Sequence, residues 1–184
     1  APRSTKKSWN LNDIWQYLFK GPGTLWGRVK YVWRRIRGKA YKIQDVPEFR
    51  EYTDIENWRN NTGIFANGEE VVITEKIHGT NFRAGWINGT FYVGSHNVNR
   101  KEKEGDLYWD IAKHYALSEI LDEGQIIFGE VYGKGVQKME YGYGDKCARF
   151  FDLMVDGKYV DSEVFKDLCY GNGLGTVPYL YEGP

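Results

Sequence analysis

The residues with the clearest chemical potential lie in one stretch, TEKIHGTNF at positions 74–82. Lys76 stands at the end of a predicted apolar strand and is followed by a tight turn that contains His, Gly, Thr and Asn. We expect a lysine there to be partly desolvated and surrounded by donors that hold a phosphate or ribose, which makes the amine neutral and nucleophilic. The simpler interpretation is an exposed lysine in a hairpin turn, and the local pattern alone favours it.

Three motifs in order resemble those of one enzyme superfamily. KIHGTN at 76–81 resembles the nucleotide-accepting lysine motif of the covalent nucleotidyltransferases, and its His and Thr-Asn resemble the RNA ligases. FGEVYGKGVQK at 128–138 and RFFDL at 149–153 are similar to the next two ligase motifs. An ordered set is harder to reach by chance than one hexamer. The similarity covers roughly residues 46–184 and is greatest to the bacteriophage RNA ligase 2 group and the Deinococcus-type RNA ligases.

The resemblance implies an ATP-dependent RNA ligase. In such an enzyme Lys76 attacks the α-phosphorus of ATP and expels pyrophosphate, and the AMP passes to a 5′-phosphate end before a 3′-hydroxyl displaces it. Asn81 is implied to order the site during AMP transfer, and His78 is placed to help. The partners are RNA ends, with DNA as a less favoured alternative. Phosphoryl transfer of this kind implies Mg²⁺ or Mn²⁺ beside the triphosphate.

The same resemblance implies which residues hold the nucleotide. Glu130 is expected to contact the ribose and Phe151 to stack on the adenine, with Asp152 beside it in the same motif. In the family, the backbone next to the nucleophile recognises the adenine, and in this chain that position is Glu75. Each residue alone has a structural alternative, since a strand glutamate is often solvated and a phenylalanine pair is more often core.

One departure from the family concerns an arginine. The family usually has Ser-Arg or Lys-Arg after the lysine motif, where the arginine contacts the nucleotide, whereas this chain has GSHN at 94–97. His96 occupies the position of that arginine and is cationic only part of the time near neutral pH. Arg100 is a nearby substitute whose position the sequence leaves open.

A larger departure concerns the C-terminal motifs. A metal-binding Glu-Gly motif and a final pair of lysines are expected beyond the aromatic motif, and the sequence ends at Pro184. Glu182 and Gly183 follow the aromatic motif too closely to be that Glu-Gly pair, and no strand is predicted beside them. We therefore expect a fragment or natural short form, weak or inactive in full sealing unless a C-terminal segment or second chain completes the site.

Charge divides the chain into two unlike parts. Lys plus Arg is 25 and Asp plus Glu is 25, but residues 1–40 carry ten basic side chains and one acid, for +9, which leaves −9 for the rest. Two short helices are predicted around Gly-Pro-Gly at 21–23. Their basic, aromatic surface is expected to bind nucleic acid or lipid headgroups, or else to pack on the main domain. The candidate nucleic-acid-binding residues are Arg28, Lys30, Arg34, Arg35 and Arg37.

The remaining sequence predicts an α+β antiparallel nucleotidyltransferase domain at 46–184, preceded by the helical extension at 1–45. Asn88-Gly89 is a strong hairpin signal. Strands are predicted at 71–75, 82–87, 90–94, 125–132, 148–155 and 158–160, and helices at 106–121 and 162–169.

Cysteine usage and apolar runs bear on location. Only Cys147 and Cys169 occur, without metal-ligand spacing, which favours a cytoplasmic or other reducing compartment, with a phage or viral origin also compatible. No apolar run approaches the ~18 residues that span a bilayer, and no signal peptide is predicted. The competing functions are a DNA ligase, a capping-type nucleotidyltransferase, and a non-catalytic nucleic-acid-binding or assembly protein that retains a ligase half-domain.

Overall fold

The computed structural model describes residues 15, 19, 20, 25, 29, 43, 45–65, 67–138, 141, 142 and 144–184. The chain divides into two units, Ala1–Lys42 and Ile43–Pro184. In the first unit Trp15 and Phe19 are helical, and their rings stack with centroids 4.7 Å apart. The five predicted nucleic-acid-binding residues of that unit lie outside the described residues, and its boundary at residue 45 stays a prediction.

A six-stranded antiparallel sheet forms the centre of the second unit. Its strands are β2 Thr80–Ile87, β3 Thr90–Ser95, β4 Val98–Arg100, β5 Gln125–Tyr132, β6 Cys147–Val155 and β7 Lys158–Tyr159. They lie side by side in the order β4-β3-β2-β5-β6-β7. The alternation of apolar and polar residues, and the Asn88-Gly89 turn between β2 and β3, set the register. The predicted α+β antiparallel class is thereby confirmed.

A separate two-stranded ribbon pairs β1, Val71–Thr74, with β8, Tyr179–Gly183. The absence of a strand around Glu182 was therefore a wrong expectation: Glu182 lies opposite Val72 in this ribbon. Its carboxylate accepts two hydrogen bonds from the Lys166 ammonium, at 2.8 and 2.6 Å. Glu182 thus forms an ion pair with Lys166 of the preceding helix, residues 162–171.

In the described part of the second unit, three α-helices and one short 3₁₀ helix, Trp58–Asn60, accompany the strands. The helix predicted at 106–121 is in fact two helices, because Ala116 adopts a left-handed backbone with φ 50°. The Tyr115 hydroxyl lies 3.4 Å from the carbonyl oxygen of Ala148 and 3.3 Å from its nitrogen, and Leu117 is fully buried. These contacts outweigh helix propensity at the break. The helices are α1 Leu107–His114, α2 Leu117–Ile120 and α3 Ser162–Gly171.

The helices lie over one face of the six-stranded sheet and enclose the main core. Side chains of β2, β5 and β6 that alternate toward this face are almost completely buried. They pack with Ile111 and Leu117 from the helical segment, and with Phe165 and Cys169 of α3. The core members from the strands are Phe82, Ala84, Val93, Ile127, Val131, Ala148, Phe150 and Leu153. Among the described residues, no helix is long and apolar enough to cross a membrane.

The opposite face of the sheet carries a smaller apolar cluster and most of the polar motif residues. Phe49, Ile126, Phe128 and Met154 form the centre of that cluster. The segment at 45–54 lies against it, before the first strand of the chain. We call this second surface the open face, and the helix-packed one the covered face.

Candidate active site

The Lys76 loop, residues 75–79, joins β1 to β2 and is fixed on both sides of the lysine. The Glu75 N–H donates to the carbonyl oxygen of Pro178 at 2.9 Å. Ile77 is buried with Tyr132 and Val177. Lys76 itself is exposed, which corrects the expected partial desolvation: the preceding strand β1 is largely solvent-facing and not a buried strand. The anchored neighbours present the amine outward from a fixed backbone.

Gly79 brings this loop against strand β5. Its N–H donates to Glu130 Oε1 at 3.1 Å. A Cβ at this position would collide with the carbonyl oxygen of Val131. Only glycine therefore permits the close approach that joins the lysine loop to the glutamate.

Asn81 and Glu130 are paired across β2 and β5, so their side chains lie on the same open face. Asn81 Oδ1 is buried and, among the residues that the structure describes, has no hydrogen-bond partner. Buried polar atoms are almost always paired, so this acceptor is suited to a donor group on a bound molecule, such as a hydroxyl or ammonium. Asn81 thus offers the open face an acceptor for a ligand.

The pKa of Glu130 reflects its mixed surroundings. Partial burial raises the pKa of the carboxyl, while the Gly79 hydrogen bond and the positive charge of Lys76 lower it, and the net effect is a rise. The Gly79 hydrogen bond brings the Lys76 loop against Glu130, and Asn81 lies opposite Glu130 across the sheet. The Lys76 loop, Glu130 and Asn81 therefore lie next to one another.

Phe151 and Asp152 reach the open face because of an irregularity in β6. The pairing with β5 shifts between Phe128 and Gly129, which lie opposite Asp152 and Phe150, so Phe151 is an extra residue in the strand. Phe150 consequently packs in the covered core, while Phe151 packs against the apolar cluster of the open face that contains Phe49. The half-buried ring of Phe151 also contacts the cluster around Ile77, beside the lysine.

The structure adds two tyrosines that sequence reasoning missed. The Tyr52 hydroxyl donates to Asp152 Oδ2 at 3.0 Å, and its ring meets Phe151 edge-on at 4.9 Å. The Tyr141 hydroxyl accepts from the His78 N–H at 2.7 Å, while the His78 side chain is exposed. Both tyrosines lie in irregular segments, where neither periodicity nor spacing indicates a contact.

His96 and Arg100, the two candidates to replace the nucleotide-contacting arginine of the family, lie in different surroundings. His96 lies in the turn between β3 and β4, with Nε2 3.7 Å from Asp54 Oδ1. Arg100 donates to Asp106 Oδ2 through Nε at 3.1 Å and Nη2 at 2.6 Å. Since Asp106 is the buried N-cap of α1, Arg100 holds that helix end. A contact of Arg100 with the nucleotide is not needed to explain its position.

The side chains in the described ranges that could bind a metal are not clustered. Within the part of the chain that the structure describes, no group of three or more His, Cys, Asp or Glu side chains is arranged to hold a metal ion. Mg²⁺ commonly binds through one or two carboxylates together with substrate phosphates. The Glu130 carboxylate on the open face fits that shared mode and not a cage made by the protein alone.

Comparison with known proteins identifies the family. A family model described as RNA ligase matches residues 69–184, more than half of the sequence. The chain belongs to the RNA ligase family. The matched range includes all three motifs, and the resemblance found in the sequence is thereby confirmed.

Solved structures of an RNA ligase share the fold. An arginine-to-alanine variant of Naegleria gruberi RNA ligase with ATP and Mn matches with a TM-score of 0.71 and 19% identity, over 78% of this chain and 46% of that chain. The same enzyme with PPi matches with a TM-score of 0.69 and 18% identity, over 77% and 45%. A lysine-to-methionine variant with AMP and Mn matches with a TM-score of 0.70 and 17% identity, over 77% and 46%. This chain thus spans about half the length of those ligase chains.

Proposed function

We propose that this chain is the nucleotide-transfer part of an ATP-dependent RNA ligase that joins 5′-phosphate and 3′-hydroxyl ends through a lysyl-AMP intermediate. The observation that carries the proposal is the link from the Lys76 loop through the Gly79 N–H to Glu130, which lies across the sheet from Asn81. The lysine loop, a carboxylate and an unpaired amide oxygen meet there. Membership of the RNA ligase family supports the assignment.

In the first step the free amine of Lys76 attacks the α-phosphorus of ATP. A nitrogen–phosphorus bond forms, the bond from the α-phosphorus to the bridging oxygen breaks, pyrophosphate leaves, and the amine loses its proton to solvent. Because Lys76 is exposed, the nucleotide can reach the amine and the proton can leave it for solvent. The fixed backbone on either side of the lysine limits the conformations that the amine explores before attack.

In the later steps the AMP passes to a 5′-phosphate oxygen of the RNA, which breaks the nitrogen–phosphorus bond and restores the amine. The 3′-hydroxyl oxygen then attacks the activated phosphorus, a phosphodiester forms and AMP leaves. Asn81 orders the site during this transfer, with its buried Oδ1 available to a donor. His78 assists from the same loop, where Tyr141 holds its backbone.

The open face would hold ATP through four residues. Glu130 accepts from the ribose hydroxyls, and Phe151 offers its ring to the adenine, with Asp152 beside it. The backbone at Glu75, fixed by Pro178, reads the edge of the base. His96 stands next to Asp54 at the margin of this face.

A divalent ion, Mg²⁺ or Mn²⁺, supplies charge neutralisation at the triphosphate when it is bound. Structures of the Naegleria gruberi enzyme contain ATP or AMP together with Mn. Within the described residues no cluster of carboxylates would hold the ion alone, which agrees with an ion shared with the phosphates. The protein contributes position and the Glu130 carboxylate.

Other parts of the proposal concern regions beyond this site. The basic residues at 28–37 would bind RNA phosphates, and a C-terminal segment or second chain would complete the catalytic set for full sealing. RNA repair in a cytoplasmic or other reducing compartment is the corresponding setting.

Labelling of the protein tests the proposal directly. The chain is incubated with α-³²P-ATP and Mg²⁺ or Mn²⁺, alone and with 5′-phosphate RNA, and separated on a denaturing gel. We expect a labelled wild-type band and no label on Lys76→Ala, because the phosphoramidate forms on that amine. Lys158→Ala, which removes an exposed lysine of β7, is the matched control and should label like wild type.

ATP binding, measured by calorimetry, separates the two parts of the proposal. Lys76→Ala should still bind ATP, since the adenine and ribose contacts remain. A wild-type chain that neither binds ATP nor becomes labelled, including in the presence of a longer ligase C-terminal segment supplied in trans, would overturn the assignment. Equal labelling of Lys76→Ala and wild type would exclude Lys76 as the nucleophile.

A further inference from the structure

The segment at 45–54, which we call the strap, crosses the open face and is attached to several strands. Arg83 of β2 donates through Nη1 to the carbonyl oxygen of Phe49 at 3.0 Å, and its guanidinium lies 4.5 Å from the Phe49 ring centroid. At the other end of the strap, the Thr53 N–H donates to the Tyr159 hydroxyl at 3.0 Å. The strap lies ahead of the range matched by the family model, 69–184.

Tyr52 is the residue of the strap that reaches the proposed nucleotide site. Its hydroxyl donates to Asp152 Oδ2 at 3.0 Å, and its ring meets that of Phe151 edge-on, with centroids 4.9 Å apart and an interplanar angle of 76°. The ring is also held by Phe128 at 5.1 Å and by Tyr159 at 5.5 Å. One side chain therefore contacts both residues of the aromatic-plus-aspartate pair and is itself held on two further sides.

The Tyr52 hydroxyl is the side-chain hydrogen-bond partner of Asp152 in the described part of the chain. The other carboxylate oxygen, Oδ1, accepts from the N–H of Leu153 at 2.9 Å. On the opposing strand β5 the paired position is Phe128, which carries no charge. From β7, the titratable group next to this pair is the hydroxyl of Tyr159, whose ring packs edge-on against the ring of Tyr52.

The pKa values of the two partners agree with a donor–acceptor pair near neutral pH. Burial, followed by the charge of Asp152 and the hydrogen bond to it, raises the pKa of Tyr52 well above its usual range, so the phenol keeps its proton. Burial raises the pKa of Asp152, while the Tyr52 and Leu153 hydrogen bonds oppose that rise. Loss of the phenol would remove one of the two opposing contributions.

We propose that Tyr52 is a positioning residue for the nucleobase, which fixes the Phe151 ring and the Asp152 carboxylate in the arrangement that binds adenine. The inference rests on the proposed function and extends it to a segment outside the matched family range. Tyr52 acts through its two neighbours and does not itself have to touch the nucleotide. Edge-on packing sets the plane of the Phe151 ring, and the hydrogen bond sets the rotamer of Asp152.

The alternative is that Tyr52 only attaches the strap to the sheet. The chain offers a matched control for that alternative, because Tyr159→Phe removes the hydroxyl that binds Thr53 and leaves the Tyr52–Asp152 hydrogen bond in place. A strap-attachment role predicts equal effects of Tyr52→Phe and Tyr159→Phe. A positioning role predicts an effect on ATP for Tyr52→Phe alone.

The test measures ATP dissociation constants by calorimetry for wild type, Tyr52→Phe, Asp152→Asn, the double variant and Tyr159→Phe. We expect Tyr52→Phe to weaken ATP binding about 10-fold, as for loss of a hydrogen bond to a charged group. The double variant should be no weaker than the weaker single variant, because the Tyr52 hydroxyl acts on ATP only through the Asp152 carboxylate. In α-³²P-ATP labelling, Tyr52→Phe should raise the KM for ATP and leave kcat within about twofold of wild type.

The pH dependence gives a readout that strap attachment does not move. Because the phenol lowers the pKa of Asp152, Tyr52→Phe should raise that pKa and shift the loss of ATP binding at acid pH to a higher pH. Tyr159→Phe should keep the wild-type profile. Circular dichroism confirms that each variant is folded.

The outcomes separate this inference from the function on which it rests. Wild-type labelling with Tyr52→Phe and Tyr159→Phe indistinguishable in ATP affinity and acid limb would overturn the positioning role alone. Additive losses in the double variant would also overturn it, since independent effects exclude action through Asp152. A wild-type chain without ATP binding or labelling would overturn both proposals.

Discussion

The two faces of the six-stranded sheet are built from the same strands and differ in almost every other respect. The covered face is closed by helices and filled with apolar side chains, of which Phe82, Val131 and Phe150 are fully buried. The open face carries polar groups with incomplete pairing: of the described residues, Asn81 Oδ1 and Arg83 Nε are the buried side-chain atoms without a partner. Successive side chains of a strand point to opposite faces of the sheet, so the same strands supply an apolar core on one face and unpaired polar atoms on the other.

Phe150 and Phe151 express this contrast within two adjacent residues. The irregular pairing at β6 separates them, so Phe150 joins the covered core and Phe151 joins the open face. Stability should therefore depend mainly on the first residue and nucleotide binding on the second.

The largest expected effect breaks the covered face. Phe150→Ala should lower the free energy of unfolding by about 3–5 kcal/mol, because it removes a fully buried ring that packs edge-on against Phe82 and Tyr115. Phe151→Ala should cost roughly half as much, since its ring is only half-buried. Urea denaturation followed by tryptophan fluorescence measures both.

ATP binding should reverse that order. Phe151→Ala should weaken ATP binding strongly, whereas Phe150→Ala, measured at low temperature where it stays folded, should retain it. Equal destabilisation by the two variants would show that the irregularity does not divide stability from binding.

A second prediction concerns the junction between the lysine loop and the sheet. Gly79→Ala should lower the free energy of unfolding by about 1–3 kcal/mol, because the added Cβ collides with the backbone oxygen of Val131. It should also abolish most of the Lys76 labelling, since the loop must move away from Glu130. Thermal denaturation and the α-³²P-ATP assay measure the two effects.

Gly63→Ala is the matched control, because a Cβ at Gly63 meets no atom within 4 Å and its backbone is not in the left-handed region. That variant should be neutral or slightly stabilising, as glycine replacement in a compatible conformation reduces the entropy of the unfolded chain. Normal labelling of Gly79→Ala would contradict the role given to the Gly79–Glu130 contact.

Much of the site could be predicted from sequence because its residues are carried by short motifs on regular strands. Lys76, Asn81 and Glu130 come together since the motif crosses a turn and continues into β2, and antiparallel pairing with β5 then places Asn81 opposite Glu130. The strand alternation and the Asn88-Gly89 turn likewise fixed most of the sheet in advance.

The failures share a physical cause, which is that tertiary contacts overrode local pattern. Ala116 adopts a left-handed backbone because Tyr115 and Leu117 pack into the core. Helix periodicity does not predict such a break. Tyr52 contacts Asp152 across 100 residues of sequence, and no spacing rule indicates such a pair. The exposure of Lys76 was missed because an apolar run was interpreted as a buried strand, whereas β1 has β8 as its one partner among the described strands, in a largely solvent-facing ribbon.

The smallest expected effect concerns Glu130 on the open face. Its charge should lower the free energy of unfolding while it contributes to nucleotide binding. Because burial raises the pKa of Glu130 in the folded chain, the folded state holds that proton more tightly than the unfolded state. Its contribution to stability is therefore greatest at acid pH and falls as pH rises through the folded pKa. At neutral pH the ionised, half-buried carboxylate costs free energy, and Glu130→Gln removes the charge while it keeps an oxygen that accepts from Gly79.

Glu130→Gln should therefore raise the free energy of unfolding at pH 7 by less than about 1 kcal/mol, a small gain because the half-exposed carboxylate is partly hydrated. The gain should shrink as pH falls through the Glu130 pKa, and labelling of Lys76 should drop at neutral pH because the ribose loses its anionic acceptor. Urea denaturation at pH 4 to 8, paired with α-³²P-ATP labelling, measures both trends, with Glu119→Gln on the exposed side of α2 as control. A variant less stable than wild type at pH 7, with normal labelling, would mean that the carboxylate serves the fold and that polar groups of the open face are not set apart from those that stabilise the chain.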